Sequence, residues 1–119
     1  MLLHAIMDSL LGAAGLGDIG KHFPDTNEKY KGVSSLHLLT LVADLLRSKD
    51  ISVVNVDATL VMQRPKISSY VPKMISNIAF ALGITEDRVN VKATTEEHLG
   101  FTGRGEGASA HAVSMISIN

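Results

Sequence analysis

Apolar residues recur at helical spacing from Leu2 to Ala14, where Leu3, Ile6, Met7, Leu10 and Leu11 supply the apolar positions of a first helix. Gly12, Gly15, Gly17 and Gly20 then interrupt the pattern, and residues 18–33 read as an irregular segment with Pro24 in a turn. A second helix is predicted from a cap at Ser34 or Ser35 to about Lys49. His37, Thr40, Asp44 and Arg47 fall on one of its faces, and Leu38, Leu41, Val42 and Leu45 on the opposite one. The period changes to two from Ile51 to Gln63: Val54, Val56, Ala58, Leu60 and Met62 point one way, Asn55, Asp57 and Thr59 the other. That alternation predicts a half-buried strand, ended by Pro65. A third helix is predicted to open at Ser68 or Ser69 and to close at Gly83. Val89 to Ala93 reads as a short strand. Ala108 to Ile118 fits strand or helix by pattern and is assigned to strand, because it follows a glycine-rich turn and contains β-branched residues. The order helix, loop, helix, strand, helix, strand, strand predicts an α+β fold: a single layer of helices on a small mixed sheet.

Composition narrows the class. With 119 residues, 45% of them hydrophobic, and a formal net charge of −1, the chain is expected to be one compact domain. Its mean hydropathy of +0.20 with 4% aromatic residues means an aliphatic core, and some of that apolar surface is expected to serve a partner subunit. The near-zero charge argues against nucleic acid as a partner. No apolar run approaches the roughly 20 residues that span a bilayer, and the start shows no secretory signal, so a soluble intracellular protein is expected. Cysteine is absent, so any metal must use histidine and carboxylate.

The chemistry-bearing part of the chain is Lys92–Gly107, KATTEEHLGFTGRGEG, in which paired threonines, paired carboxylates and four glycines leave little reason for a helix or a strand. Gly100–Gly107 resembles a dinucleotide-binding glycine loop only superficially, since that motif requires a helix after it and a strand is predicted here. Thr94 and Glu97 have the spacing of a capping box, which would open a short helix and offer its N–H groups to an anion, with the Thr95 hydroxyl beside it. His4 and Asp8 share a helix face at i, i+4; one imidazole and one carboxylate are too few for a metal, and a packed histidine is the simpler reading. His22, His37, His98 and His111 show no ligand spacing. Arg64-Pro65-Lys66 is either a solvated turn or a cation placed beside a phosphate.

Three segments together resemble one family: HAIMDSLLGAAGLGDIGKHFPDT, NVDATLVMQRPK and NVKATTEEHLGFTGRGEG. The chain is similar, over essentially its whole length, to the 2-C-methyl-D-erythritol 2,4-cyclodiphosphate synthases of non-mevalonate isoprenoid synthesis. The resemblance implies cyclisation of 4-diphosphocytidyl-2-C-methyl-D-erythritol 2-phosphate with release of CMP. It implies a homotrimer with its sheets facing the threefold axis, active sites between neighbouring subunits, and an isoprenoid diphosphate as a further ligand of the central cavity. It implies a cytidine diphosphate substrate held by Met62, Gln63, Arg64, Pro65, Lys66, Ile67 and Ser68. Asp18, Ile19 and Gly20, with Phe23, Pro24, Asp25, Thr26 and Asn27, match the family's substrate loops. Thr94, Thr95, Glu96 and Glu97 match its phosphate contacts, with Thr95 in the position that stabilises the transition state. Phe101 and Arg104 match further substrate contacts, and Arg104 and Glu106 lie near the central cavity in that fold. Zinc or manganese is implied at His4, magnesium or manganese near Glu97. The resemblance also implies a cytoplasmic enzyme of bacteria or one of a plastid-type organelle. Glu96 departs from the family, which more often has a third threonine there. The family's preceding segment, with its opening strands, an Asp-x-His pair and a His-Ser pair, has no counterpart before Met1. The alternative expectation is therefore a non-catalytic trimeric module that binds cytidine nucleotide without a complete zinc site.

Overall fold

The structure, a computed structural model, describes residues 1–30, 32–63 and 67–119. The first helix, α1 (Leu2–Ala13), buries Leu2, Ile6, Met7, Leu10 and Leu11, and Leu3 is only half-buried. A short helix α2 (Ile19–His22) follows, opened by Asp18, whose side chain accepts from the Lys21 amide at 2.9 Å. Helix α3 (Ser35–Ser48) is capped by Ser34, whose Oγ accepts from the His37 amide at 3.1 Å. Helix α4 (Val71–Leu82) is preceded by a single 3-10 turn, Ser68–Tyr70, and closed by Gly83 in the left-handed region, as the sequence predicts.

Three strands, β1 (Ile51–Val61), β2 (Val89–Thr94) and β3 (Ser109–Ile118), form a mixed sheet in the order β2-β1-β3. β2 lies parallel to β1 and β3 antiparallel to it. The helices α1, α3 and α4 cover one face, with α1 on β3 and β1, α3 on β1 and α4 on β2. Their buried side chains and those of β1 and β2 make one continuous apolar cluster. The α+β class with helices on a small mixed sheet agrees with the expectation.

Three local readings are corrected. In α3 the deeply buried line is Leu39, Val42, Ala43 and Leu46; Leu38, Leu41 and Leu45 are half-buried. The helix is packed against α1, α4 and β1, so its deepest line is set by those neighbours rather than by the polar face alone. In β1 the alternation breaks at Val54. Val53 pairs with Ile116 and Asn55 with Met115, so Val54 is the extra residue of a β-bulge. Ile51 and Val53 point into the core before it, and Val56, Ala58 and Leu60 after it; Met62 lies beyond the strand end. Third, the Lys92–Gly107 run is not free of regular structure: Lys92–Thr94 belong to β2, and Gly100–Gly103 form a short helix, α5.

Among the described residues, no helix covers the second face of the sheet. That face presents Asn55, Asp57 and Thr59 of β1, Asn90 and Lys92 of β2, and His111, Val113 and Met115 of β3. Val113 is 74% and Met115 61% exposed. In the middle of this face Asp57 Oδ1 accepts from Lys92 Nζ at 2.6 Å and from Asn90 Nδ2 at 3.1 Å. Those hydrogen bonds, Lys92 first, hold the Asp57 carboxyl below its ordinary range.

Candidate functional site

Two clefts collect half of the site residues singled out in the sequence. The first, of about 400 Å³, lies between α1, α2 and the start of α3, and its lining includes His4, Ile19, Phe23, Pro24 and Asp25. Local bonds hold its walls. Asp8 Oδ1, on α1, accepts from the Ile19 amide at 2.9 Å, which docks the start of α2 on the first helix. His22 Nε2 lies 2.7 Å from the Leu16 carbonyl and closes the glycine-rich loop that leads into α2. Phe23 meets the ring of Tyr30 edge-on at 5.1 Å. His4 Nε2 lies 3.3 Å from Ser35 Oγ across the gap between α1 and α3. Asp8, Ser35 and Tyr30 were not among the site residues read from the sequence. The i, i+4 spacing of His4 and Asp8 was the available signal for one of them.

The second cleft, of about 260 Å³, lies at the carboxyl ends of the parallel pair β1 and β2. Met62, Gln63, Ile67, Ser68, Ala93, Thr94 and Thr95 line it. The Met62 amide donates to the Thr94 carbonyl at 3.0 Å, which extends the ladder by one bond past the strand end and sets the two walls. Openings at the carboxyl ends of parallel strands are where open sheets commonly bind ligands. Arg64, Pro65 and Lys66 lie outside the described residues.

Beyond the second cleft the chain runs through an exposed loop that carries Glu96 and Glu97, then through α5, which carries Phe101 and is capped by Arg104; all four residues are exposed. The capping box expected of Thr94 and Glu97 does not form. Thr94 ends β2 with its hydroxyl 3.4 Å from the Thr95 carbonyl oxygen, and Glu97 has φ +52°, outside the helical region. Instead Thr95 Oγ1 accepts from the Glu97 amide at 3.2 Å. The Glu96 side chain is in solvent. Arg104 Nε donates to Glu106 Oε1 at 2.5 Å.

Asp18 and Gly20 sit on α2 or its cap, and Thr26 and Asn27 are exposed, with Asn27 Oδ1 accepting from the Lys29 amide at 3.0 Å. None of these four lines either cleft. Among the described residues the two clefts share none within one chain.

The donors near His4 are few. Asp8 is engaged by the Ile19 amide, and no three histidines or carboxylates stand together among the described residues. A zinc ion takes about four protein or substrate donors, so the residues beside His4 do not fit zinc on their own. Glu97 is different, because magnesium and manganese are commonly held by one or two carboxylates with substrate phosphates and water. Glu97 is exposed, and its backbone amide meets the Thr95 hydroxyl, so its carboxylate belongs to a residue that follows the cleft edge closely enough to suit that role.

The model of the YgbB family matches residues 1–117. The 2-C-methyl-D-erythritol 2,4-cyclodiphosphate synthase of Clostridium novyi is 58% identical over 117 residues, covering 98% of this chain and 74% of that protein. The enzyme of the same name from Pelobacter propionicus is 60% identical over 116 residues, with 98% and 73% covered. Among solved structures, the bifunctional IspDF of Campylobacter jejuni superposes with a TM-score of 0.92 at 42% identity, over 99% of this chain and 32% of that one. A Plasmodium falciparum IspF in complex with CDP gives a TM-score of 0.81 at 34% identity, over 98% of this chain and 69% of that one.

Proposed function

The chain belongs to the YgbB family, and from that membership we propose that it cyclises 4-diphosphocytidyl-2-C-methyl-D-erythritol 2-phosphate to 2-C-methyl-D-erythritol 2,4-cyclodiphosphate with release of CMP. The observation that carries the reading is the cleft at the ends of β1 and β2, walled by Met62, Gln63 and Ile67 on one side and Thr94 and Thr95 on the other. It is apolar enough for a nucleoside and ends on a hydroxyl suited to a phosphate. The CDP bound to the Plasmodium falciparum relative supports a cytidine nucleotide as its occupant.

The reaction asks little covalent chemistry of the protein. The substrate's own 2-phosphate oxygen attacks the β-phosphorus, the bond from that phosphorus to the bridging oxygen breaks, and CMP leaves with that oxygen. The nucleophile is tethered, so catalysis rests on folding the substrate into line and on countering phosphate charge. Thr95 suits the second task. One lone pair of its hydroxyl oxygen is held by the Glu97 amide, which orients the group and leaves its proton to donate to a phosphate oxygen. Glu97 would hold a magnesium or manganese ion, which when bound supplies positive charge to the phosphates. His4 contributes one imidazole to the first cleft, with Ile19, Phe23 and Pro24 as an apolar wall for the methylerythritol part.

Two clefts on one chain, neither containing the whole residue set, are reconciled in a homotrimer whose sites join the first cleft of one copy to the second cleft of its neighbour. The open sheet face, with Val113 and Met115 in solvent, supports burial against other copies. No helix among the described residues is long and apolar enough to cross a membrane, and the bacterial relatives support a place in the cytoplasm. The alternative of a non-catalytic module is not favoured, because the relatives matching nearly the whole chain are named as synthases.

The test is CMP release from the diphosphocytidyl substrate by the purified chain with divalent ions present, alongside CDP binding by calorimetry. Turnover with CDP binding supports the proposal. CDP binding without turnover returns the non-catalytic reading, and absence of both overturns the site.

A further inference from the structure

Backbone hydrogen bonds link the segment from Thr95 to Gly107 to itself, from Leu99 N–H to the Glu96 carbonyl through Glu106 N–H to the Phe101 carbonyl. Every residue from Lys92 to Phe101 is exposed, so packing against the core does not fix Glu97. Yet Glu97 and His98 both lie in the left-handed region, at φ +52° and +66°. Two successive side-chain-bearing residues there are unfavourable, and such a conformation persists only where the surroundings over-determine it.

The structure supplies the over-determination. Gly103, buried in α5, has an ordinary φ, so its backbone would suit any residue. What forbids a side chain is contact: a Cβ at 103 would lie 2.4 Å from the His98 carbonyl carbon, 2.7 Å from its Cα and 2.9 Å from its nitrogen. The His98 backbone therefore rests directly on the Gly103 backbone. Two bonds close the seat from either side, Leu99 N–H to the Glu96 carbonyl at 3.0 Å and Gly103 N–H to the Leu99 carbonyl at 3.1 Å.

We propose that Gly103 is a positioning residue: by presenting bare backbone to His98 it seats the left-handed Glu97–His98 pair and so sets the direction in which the Glu97 carboxylate leaves the chain. This rests on the reading of Glu97 as the divalent-ion ligand beside the substrate phosphates. A Cβ at Gly103 pushes His98 off its seat, the left-handed pair relaxes, and the carboxylate leaves the chain in another direction with no change in its chemistry.

Two readouts test this on the whole chain. The first is the backbone chemical-shift and coupling signature of positive φ at Glu97 and His98, which needs neither ion nor turnover. The second is Mn²⁺ affinity in the CDP complex. Gly103→Ala is expected to erase the signature and weaken Mn²⁺ by about ten- to a hundred-fold, the range of lost support for a metal ligand. His98→Pro reaches the same end with Gly103 intact, because proline cannot adopt positive φ; it guards against misfolding of the alanine variant. His98→Gly, which adopts positive φ freely, is expected to keep both readouts. Mn²⁺ affinity within about two-fold of wild type in Gly103→Ala or His98→Pro, with the signature lost, overturns the proposal. So does a signature that survives Gly103→Ala. Failure of the wild-type chain to bind Mn²⁺ with CDP would instead sink the ion reading at Glu97, leaving the seat itself judged by the signature.

Discussion

Replacing Thr95 by valine removes one hydroxyl and keeps the shape of the side chain. The oxygen currently accepts from the Glu97 amide at 3.2 Å, at the edge of the cleft between β1 and β2. In the folded protein the loss is small, because the Glu97 amide is exposed and water replaces the missing acceptor; about 1 kcal/mol or less is expected from stability. In the transition state it is larger. A preorganised donor aimed at developing phosphate charge is worth about 2.7–4 kcal/mol, which is about 10²–10³ in kcat. The expected pattern is thus a steep fall in kcat with a nearly unchanged melting temperature and CDP affinity. Thr95→Ser keeps the hydroxyl and is expected to retain kcat to within about ten-fold, the difference being loss of χ1 restraint. Steady-state CMP release and CDP calorimetry on the three proteins decide it. If valine costs less than three-fold in kcat, or if serine and valine cost the same, the hydroxyl does not touch the reacting phosphates (a three-fold loss is about 0.65 kcal/mol).

Other perturbations test the frame that holds the site. Ile6 is fully buried under the sheet, so Ile6→Ala should lower unfolding free energy by about 2–5 kcal/mol in urea titrations; a loss below about 1 kcal/mol would contradict the core assignment. Gly83 closes α4 at φ +70°, and Gly83→Ala should cost about 1–2 kcal/mol in thermal melts through backbone strain. Its Cβ would meet only the far end of the long Arg47 side chain at 3.2 Å, so no larger steric loss is expected. Lys92→Met should raise the Asp57 midpoint in a carboxyl NMR titration, since hydrogen bonding from Lys92 is the leading cause of its depression. Because the folded value lies below the unfolded one, the pair stabilises above the ordinary aspartate pKa and loses that contribution as pH falls through the lowered value. The cost of Lys92→Met should be present at neutral pH and absent well below that point.

The sheet and the three long helices were legible because periodicity of two and of 3.6 is written in Val56-Ala58-Leu60 and in Ile6-Leu10. Val54 was misread because a bulge is a property of two strands: only its pairing with Ile116 and Met115 reveals the extra residue. The face of α3 was read one step away from its deepest line, since three neighbouring elements cover a wider arc than one apolar stripe describes. The capping box at Thr94–Glu97 matched by spacing and failed by conformation, because Gly103 pressed on His98 holds the loop elsewhere. Site residues were named by family resemblance, and the structure gathers His4, Ile19, Phe23, Pro24 and Asp25 in one cleft and Met62, Gln63, Ile67, Ser68, Thr94 and Thr95 in another. No periodicity in one chain encodes that second grouping, since it depends on where the carboxyl ends of β1 and β2 fall.

The division into two clefts makes a quantitative demand on assembly. His4→Ala removes the imidazole of the first cleft, and Thr95→Val disables the second. Each variant alone should be nearly inactive wherever the site is built. Mixed trimers separate the alternatives. If a site joins the first cleft of one copy to the second cleft of the next, it is intact when a Thr95→Val copy precedes a His4→Ala copy in the ring. Random mixing at equal amounts makes each choice with even odds, so about a quarter of sites regain both groups. If each chain builds its own site, every chain in the mixture still carries one lesion and no site recovers. Co-expressing the two variants with different affinity tags, isolating the doubly tagged trimers and measuring CMP release reads the result directly. Doubly tagged species contain both copies by selection, and any ring of three with two of one kind and one of the other has a single correct junction. Activity near one third of wild type per trimer is therefore expected. Zero activity in a confirmed mixed trimer would place both clefts in the service of a single chain and refute the shared site.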